Sequence, residues 1–345
     1  MYLCVFIIFD RLNTINFKDN MDNIKDVENL AKLKKKFDDE ISKIIIGQQE
    51  IIDQIFVALL SNGHIILEGV PGLAKTLLIN SIAKALDLNF SRIQFTPDLM
   101  PTDITGTEII QQNKTTGERE FRFYKGPIFS NIVLADEINR TPPKTQAALL
   151  QAMQEKKITI GNKTYDLKNP FFVFATQNPI EQEGTYPLPE AQLDRFMFNL
   201  IINYPDNKEE ILIVKNMNNI LNHKINPIIN LEELIKFQNL VINMPIADNV
   251  IEYAVKFVRM TRLNQEASSI TKKWLNWGAG PRASTILISA SKAYALINGR
   301  FTPEIDDIKY MIKPVLRHRI IPNFNAEAEG LSSDDILDEI LNLLK

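Results

Sequence analysis

Residues 69–76 read Gly69-Val70-Pro71-Gly72-Leu73-Ala74-Lys75-Thr76; an apolar run precedes them at 64–68, and a helical pattern follows from Leu77 to Leu86. A strand that enters a glycine-containing turn and then a helix aims successive backbone N–H groups at one point, which can hold a triphosphate. In such a loop Lys75 reaches the β- and γ-phosphates, and the Thr76 hydroxyl binds Mg²⁺. Glycine usually precedes the lysine, and we expect Ala74, the smallest replacement, to suit the start of the helix. The pattern therefore predicts a nucleotide-binding loop over Gly69 to Leu77.

The composition is that of an ordinary globular protein. The chain has 345 residues, 45% of them hydrophobic, which is enough for a large core and for two domains. The net charge of −3 differs from the positive net charge that is typical of nucleic-acid-binding domains. Cys4 is the single cysteine, and the three histidines lack the spacing of metal ligands. These features fit a reducing, cytoplasmic compartment.

The first residues form a short apolar segment. Residues 1–9 are too few to span a bilayer, and they lack the basic leading region and cleavage site of a signal peptide. We expect residues 1–20 to be an appended, flexible tail, with the working protein beginning near Met21 and no stable membrane insertion. A weak membrane contact is the alternative.

The rest of the chain divides by its periodicity. Helical patterns at 27–44 and 50–60 flank a break at 45–48, and strands are predicted at 65–67, 90–95, 132–135, 171–175 and 197–202. This alternation predicts a three-layer α/β domain with a central parallel sheet over residues 21–205. Residues 206–345 read as successive amphipathic helices and predict an all-α second domain. Two β-hairpin insertions are predicted near 105–125, around a turn at 115–117, and near 157–168, around Gly161-Asn162.

Two more strands of the predicted sheet end in polar residues. The apolar strand at 132–135 ends in Asp136 and Glu137, on the edge of the sheet where ligands of such folds bind. Asp136 is expected to hold Mg²⁺, and Glu137 to polarise the attacking water. Asn178 follows the strand at 171–175 and could bind the γ-phosphate or that water, although asparagine before proline is also a common turn residue.

Two arginines are candidates for charge stabilisation. Arg195 ends a short helical segment, and Arg282 opens a helix of the second domain. Each could be a solvated surface charge, and each also fits the cations that phosphoryl transfer requires.

The order of these motifs resembles the MoxR family of AAA+ ATPases, in the helix-2-insert clade. The resemblance runs from about Val27 to about Ile321 and rests on these segments: GVPGLAKT (69–76), LADEINR (134–140), FVFATQNP (172–179), EQEGTYPLPEAQLDRFMF (181–198), GPRAS (280–284) and PVLRHRI (314–320). Ala74 is normal in that family.

The resemblance implies a role for each candidate residue. Residues 69–76 correspond to Walker A and Asp136-Glu137 to Walker B. Asn178 corresponds to sensor 1, Arg195 to the arginine finger given to a neighbour's ATP, and Arg282 to sensor 2. Ile46 and Gly47 lie in a segment that resembles the wall of the adenine pocket, and the hairpins resemble insertions that face the ring pore or a partner.

The function implied is Mg²⁺-dependent hydrolysis of ATP to ADP and phosphate in a homo-oligomeric ring, with a hexamer as the expected size. Chaperone-like work on partner complexes, with a separate von Willebrand factor A domain protein, is the implied role. A nucleic-acid-dependent motor is disfavoured by the acidic balance and by the lack of a basic–aromatic stripe. The motor subunit of a magnesium chelatase is disfavoured because the segment EGTYPLPEAQLDRF (183–196) is more similar to the MoxR family. A switch that binds ATP without turnover is disfavoured because Lys75, Asp136, Glu137 and Arg195 are all present.

Overall fold

The computed structural model describes residues 17–112, 119–161, 163–180, 184–264 and 267–344. In chain order its helices and strands are α1 (Phe17–Ile41), α2 (Gln49–Leu60), β1 (Ile65–Glu68), α3 (Lys75–Ala85), β2 (Phe90–Gln94), α4 (Pro101–Thr105), β3 (Gly106–Gln112), β4 (Arg119–Lys125), β5 (Ile132–Asp136), α5 (Pro143–Glu155), β6 (Lys157–Ile160), β7 (Lys163–Asp166), β8 (Phe172–Gln177), α6 (Glu190–Leu193), β9 (Phe198–Ile201), α7 (Asn207–Asn222), α8 (Leu231–Asn243), α9 (Asp248–Met260), α10 (Ser269–Trp274), β10 (Leu275–Trp277), α11 (Pro281–Ile297), α12 (Ile305–Leu316), β11 (Ile321–Pro322), α13 (Phe324–Ala328) and α14 (Ser333–Asn342).

Five strands form a parallel sheet in the order β2-β5-β8-β1-β9. All five strands predicted from the sequence are present. Strand β5 is buried throughout, and β8 is buried except at Gln177, as expected for central parallel strands whose two faces are both covered. Because the strands are parallel, the carboxyl ends of β1, β5 and β8 meet at one edge, which is the edge where the phosphate loop begins.

The two faces of the sheet belong to two buried apolar clusters, which gives the predicted three layers. The residues of β1, β5 and β8 alternate between the clusters along each strand. One face packs against α1, α2, α3 and the helical part of the chain, and the other packs against α5. The predicted α/β class is confirmed.

The helical part follows the sheet, as predicted, but it also contains one small strand pair. Strands β10 and β11 pair antiparallel, and they were not expected in an all-α domain because two or three residues carry no detectable period. Apolar residues of α8, α9, α11 and α12 belong to the same cluster as one face of the sheet. The division at 205/206 therefore remains our proposal, because the buried core is continuous across it.

The N-terminal boundary differs from the prediction. Helix α1 begins at Phe17, so residues 17–20 belong to a helix and not to the expected tail; residues 1–16 lie outside the described part. Helix α1 continues to Ile41 because Leu30, Phe37 and Ile41 are buried at helical spacing. No described helix is both long enough and apolar enough to cross a membrane.

Two antiparallel hairpins, β3–β4 and β6–β7, lie where the sequence predicts them. The turn at 115–117 and Asn162 lie outside the described residues. The hairpins touch through aromatic rings, since Phe123 of β4 stacks on Tyr165 of β7 with centroids 4.5 Å apart. Phe129, in the short 3₁₀ segment before β5, lies edge-on to both rings.

Candidate nucleotide site

The phosphate-type loop joins β1 to α3. Gly69 donates its N–H to the carbonyl of Gln177, which fixes the start of the loop to the end of β8. Gly72 has φ +89°, and a Cβ there would meet no atom within 4 Å. The loop therefore leaves open space beside its backbone N–H groups, where a group with several acceptor oxygens fits.

Ala74 corrects one detail of the sequence analysis. Ala74 is the N-cap of α3, and its φ of 55° lies in the left-handed region. The sequence pattern predicts a right-handed helical conformation at this position. For a residue with a Cβ the left-handed conformation is unfavourable by about 1–2 kcal/mol, whereas glycine adopts it freely. Alanine thus keeps the shape of the loop at a cost in backbone strain.

Lys75 is folded back onto its own loop. Its Nζ donates to the carbonyls of Gly69 and Val70. Partial burial lowers the pKa of the ammonium, while the carboxylates of Asp136 and Glu137 act in the opposite direction. The Lys75 ammonium therefore lies within the electrostatic influence of both carboxylates.

The predicted phosphate and metal residues from Pro71 onward converge in one cleft of about 410 Å³, whereas Gly69 and Val70 are not among its lining residues. Its lining comprises Pro71, Gly72, Leu73, Ala74, Lys75, Thr76, Leu77, Arg92, Asp136, Glu137, Thr176 and Asn178. Arg92 and Thr176 were not identified from the sequence. Both lie on strands that neighbour β5, so the only available signal was a polar residue within a predicted strand.

Asp136 is held by hydrogen bonds on both carboxylate oxygens. Thr176 Oγ1 donates to Oδ1 at 2.6 Å, and Arg92 donates from Nε and Nη2 to Oδ2 at 2.9 and 2.6 Å. Asp136 is 8% exposed, so these contacts fix the orientation of a nearly buried carboxylate.

Glu137 adopts a strained backbone at the end of β5. Its φ is 57°, and its N–H donates to Thr176 Oγ1 at 2.8 Å. Its Oε2 accepts hydrogen bonds from Gln94 Nε2 and Arg140 Nη1, both at 2.9 Å. A left-handed backbone at a non-glycine residue costs free energy and persists only where neighbouring contacts hold it. Such residues are concentrated at functional sites. Here Thr176 and Gln94 supply such contacts.

Asn178 lines the cleft and also makes a turn hydrogen bond. It lines the cleft and is 6% exposed. Its Oδ1 also accepts the N–H of Ile180 at 3.2 Å, as in a turn that contains asparagine before proline.

Neither Arg195 nor Arg282 is among the residues that line this cleft, and each binds another part of the chain. Arg195 Nη1 donates to the carbonyl of Leu150 at 2.9 Å. Arg282 Nη1 donates to Asp194 Oδ2 at 2.9 Å and is half exposed. Arg282 thus binds the residue that precedes Arg195 in the chain.

Ile46 and Gly47 line a second cavity of about 610 Å³, bounded on its other side by α7. Gly47 has φ +73°, a conformation that glycine adopts freely, and a Cβ there would require the carboxylate of Glu209 to move. Lys43 and His223 also line this cavity, and both bind the buried Glu40. Burial opposes ionisation of Glu40, but hydrogen bonds from Lys43, Asn226 and His223 prevail and lower its pKa to about 2.

A phosphate-type loop, paired carboxylates and a following helical lid define a P-loop ATPase. Residues 64–198 match the model of the ATPase family associated with various cellular activities (AAA), and residues 267–340 match the AAA lid domain. The chain is 42% identical over 303 residues to Chaperone MoxR1 of Mycobacterium tuberculosis, which covers 88% of this chain and 79% of that protein. It belongs to the MoxR family of AAA+ ATPases.

Two other relatives agree with this assignment. The uncharacterized protein YeaC of Bacillus subtilis is 43% identical over 321 residues, covering 92% of this chain and 96% of that protein. A crystal structure from Cytophaga hutchinsonii, provisionally described as an ATPase, superposes with a TM-score of 0.86 at 42% identity. It covers 94% of this chain and 98% of that one.

Proposed function

We propose that this chain hydrolyses ATP to ADP and phosphate, with Mg²⁺, as one subunit of a homo-oligomeric ring, a hexamer by expectation. The observation that carries the proposal is the convergence of Lys75, Asp136 and Glu137 in the cleft beside the open phosphate-type loop. The turnover drives the remodelling or activation of partner proteins in the cytoplasm, a role that the name of Chaperone MoxR1 supports.

Each residue of the cleft has a task in this mechanism. The loop N–H groups and Lys75 bind the phosphates, and Lys75 exchanges the carbonyls of Gly69 and Val70 for phosphate oxygens. Glu137 orients the water and accepts its proton, and Asn178 donates from its amide to the γ-phosphate or the water. Ile46 and Gly47 bound the adenine.

The cleft also fits the metal. Thr76 and Asp136 are hard oxygen donors of the kind that Mg²⁺ takes. A bound Mg²⁺ neutralises charge on the phosphates during transfer. Arg195 supplies a further positive charge to the ATP of the next subunit, and Arg282 acts as the sensor 2 arginine.

The partner is proposed to be a separate protein with a von Willebrand factor A domain. The exposed hairpin β3–β4 is the candidate docking element, because Ile110 and Phe121 lie opposite each other on it and are 59% and 70% exposed. Exposed apolar patches often mark protein–protein interaction sites.

The substitution Glu137→Gln tests the proposed activity. It keeps the shape of the side chain but cannot accept the proton, so ATP should bind within about threefold of the unmodified affinity while kcat falls by roughly 100-fold or more. Glu155→Gln, at the exposed end of α5, is the matched control. Unchanged turnover in Glu137→Gln would assign the activation of water to another group.

The same variant tests the partner. Glu137→Gln saturated with ATP should retain a von Willebrand factor A domain protein that Lys75→Ala, mixed with the same ATP, does not retain. Equal recovery by both variants, or no such protein with either, contradicts the partner assignment and leaves the ATPase assignment standing.

A further inference from the structure

Arg319, in the PVLRHRI segment after α12, uses every hydrogen-bond donor it has. Its side chain is 1% exposed. Nε donates to Asp194 Oδ1 at 2.8 Å; Nη1 donates to the carbonyls of Met197, at 3.1 Å, and Val315; Nη2 donates to the carbonyls of Asp194, at 3.2 Å, and Phe196. A guanidinium has five N–H groups, and all of them are satisfied here.

Four of these five contacts are to the segment that contains Arg195. The carbonyls on either side of Arg195, those of Asp194 and Phe196, bind the same nitrogen, Nη2 of Arg319. The backbone that bears Arg195 is thereby fixed from both sides by one side chain of the helical lid.

The neighbours of Arg319 reinforce this clamp. His318 Nε2 contacts the carbonyl of Phe196 at 3.2 Å, and because a carbonyl only accepts, Nε2 carries the proton. Burial and the adjacent Arg319 lower the pKa of His318 well below its usual value, so the ring is neutral. Burial also lowers the pKa of Arg319, to about 10, while Asp194 acts in the opposite direction. Arg319 therefore remains charged at neutral pH.

Arg282 makes a weaker contact with the same segment. It binds Asp194 alone, through the carboxylate at 2.9 Å and the carbonyl at 3.3 Å, and about half of its side chain is exposed. Exposed ion pairs contribute little to the fixing of a backbone. Arg319, with four contacts from a buried side chain, therefore holds the segment more firmly than Arg282 does.

We infer that Arg319 is a positioning residue that sets the orientation of Arg195, so that the lid of a subunit controls the finger of the same subunit. The inference rests on the proposed role of Arg195 in hydrolysis. A lysine cannot replace Arg319, because an ammonium offers three donors from a single nitrogen, whereas the five contacts of Arg319 come from three nitrogens of a rigid, planar guanidinium.

The test is a double-mutant cycle of ATP turnover. Arg319→Lys should lower kcat by about tenfold or more and leave KM for ATP within about threefold, because the contact acts only through a transition-state interaction. In the Arg195→Ala background, Arg319→Lys should change the single-turnover rate by less than about twofold, because coupled residues are not additive. Arg317→Lys is the matched control: Arg317 binds Asp334 and the carbonyl of Asn199 instead.

The outcomes separate this inference from the proposed function. If Arg195→Ala itself keeps full kcat, the proposed finger is wrong. If Arg195→Ala loses turnover while Arg319→Lys keeps it, or if Arg319→Lys lowers the rate by the same factor in both backgrounds, only the positioning role is overturned. Should Arg319→Lys fail to fold, Arg319→Gln, which keeps two amide donors in place of the five guanidinium donors, takes its place in the same cycle.

Discussion

Arg92 and Asp136 form a two-donor contact in the cleft, in which Nε and Nη2 of Arg92 bind the same oxygen, Oδ2, of Asp136. Strands β2 and β5 are neighbours in the sheet, and this places Arg92 beside the carboxylate that we propose as a metal ligand. The carboxylate therefore already has a cation partner supplied by the protein. Binding of Mg²⁺ must compete with this guanidinium.

Arg92→Met should strengthen Mg²⁺-dependent ATP binding. The half-saturating Mg²⁺ concentration should fall by roughly two- to fivefold; the effect is modest because the guanidinium is half exposed and its attraction is screened. A titration of ATP binding with Mg²⁺ measures it. Arg122→Met, on the hairpin β3–β4, removes the same charge at a distance from the cleft. An unchanged or higher Mg²⁺ requirement in Arg92→Met would show that Arg92 does not compete with the metal.

Lys75→Ala should abolish ATP binding. The phosphates lose the one loop-borne ammonium, and we expect the dissociation constant to rise by roughly 100-fold, since hydrogen bonds between charged groups are the strong ones. Calorimetry with ATP is the measurement, and Lys84→Ala, at the other end of α3, is the control. An affinity within about threefold of the unmodified protein, less than about 0.7 kcal/mol, would reject the phosphate-loop assignment.

His64 should make the fold sensitive to mild acid. It is buried at the start of β1, where Nδ1 accepts the N–H of Val173 and Nε2 contacts the carbonyl of Met153. Burial lowers its pKa from 6.5 to about 4. Between these values the unfolded chain binds a proton that the folded chain excludes, so stability is lost as the pH falls through this window.

The size of this effect can be measured above the range in which carboxylates titrate. Between pH 7 and 5 the contribution of His64 to the free energy of unfolding should fall by about 2 kcal/mol. Urea unfolding at both pH values measures it. His64→Gln, which retains a donor and an acceptor, should remove the part of this pH dependence that is due to His64. The part that is due to His318 should remain. An identical slope in the variant would mean that His64 does not contribute.

The sequence predicts those parts of the site whose positions follow from their place directly after a strand. The loop at 69–76, the carboxylates after β5 and Asn178 after β8 are each tied to the end of a strand, and parallel strands bring their ends together. Arg92 and Gln94 could not be assigned from the sequence, because their contacts with Asp136 and Glu137 depend on the register between β2 and β5. Periodicity within one strand carries no information about that register.

The arginines show the same limit at longer range. The sequence identifies Arg195 and Arg282 as candidate cations, but the contact of Arg282 with Asp194 depends on how the helical part packs against the α/β part. Arg319 contacts residues more than 120 positions earlier in the chain. Only the packed structure brings those residues together. The left-handed backbone of Ala74 was missed for a different reason, since composition alone suggests a helical alanine.

The proposed ring mechanism requires that the pocket of one subunit works with Arg195 of the next. Lys75→Ala removes the pocket and keeps the finger, and Arg195→Ala keeps the pocket and removes the finger. A guanidinium supplied by a neighbour contributes roughly 10³–10⁵ in rate, so each variant alone should be nearly inactive.

The most direct measurement is the ATP turnover of these two variants after mixing and reassembly. We predict that the mixture regains a measurable part of the wild-type rate, because some intact pockets then face intact fingers. Arg195→Ala alone should bind ATP as the unmodified protein does. No gain on mixing, together with a wild-type rate per subunit that is independent of dilution down to the monomer, would contradict hydrolysis between subunits.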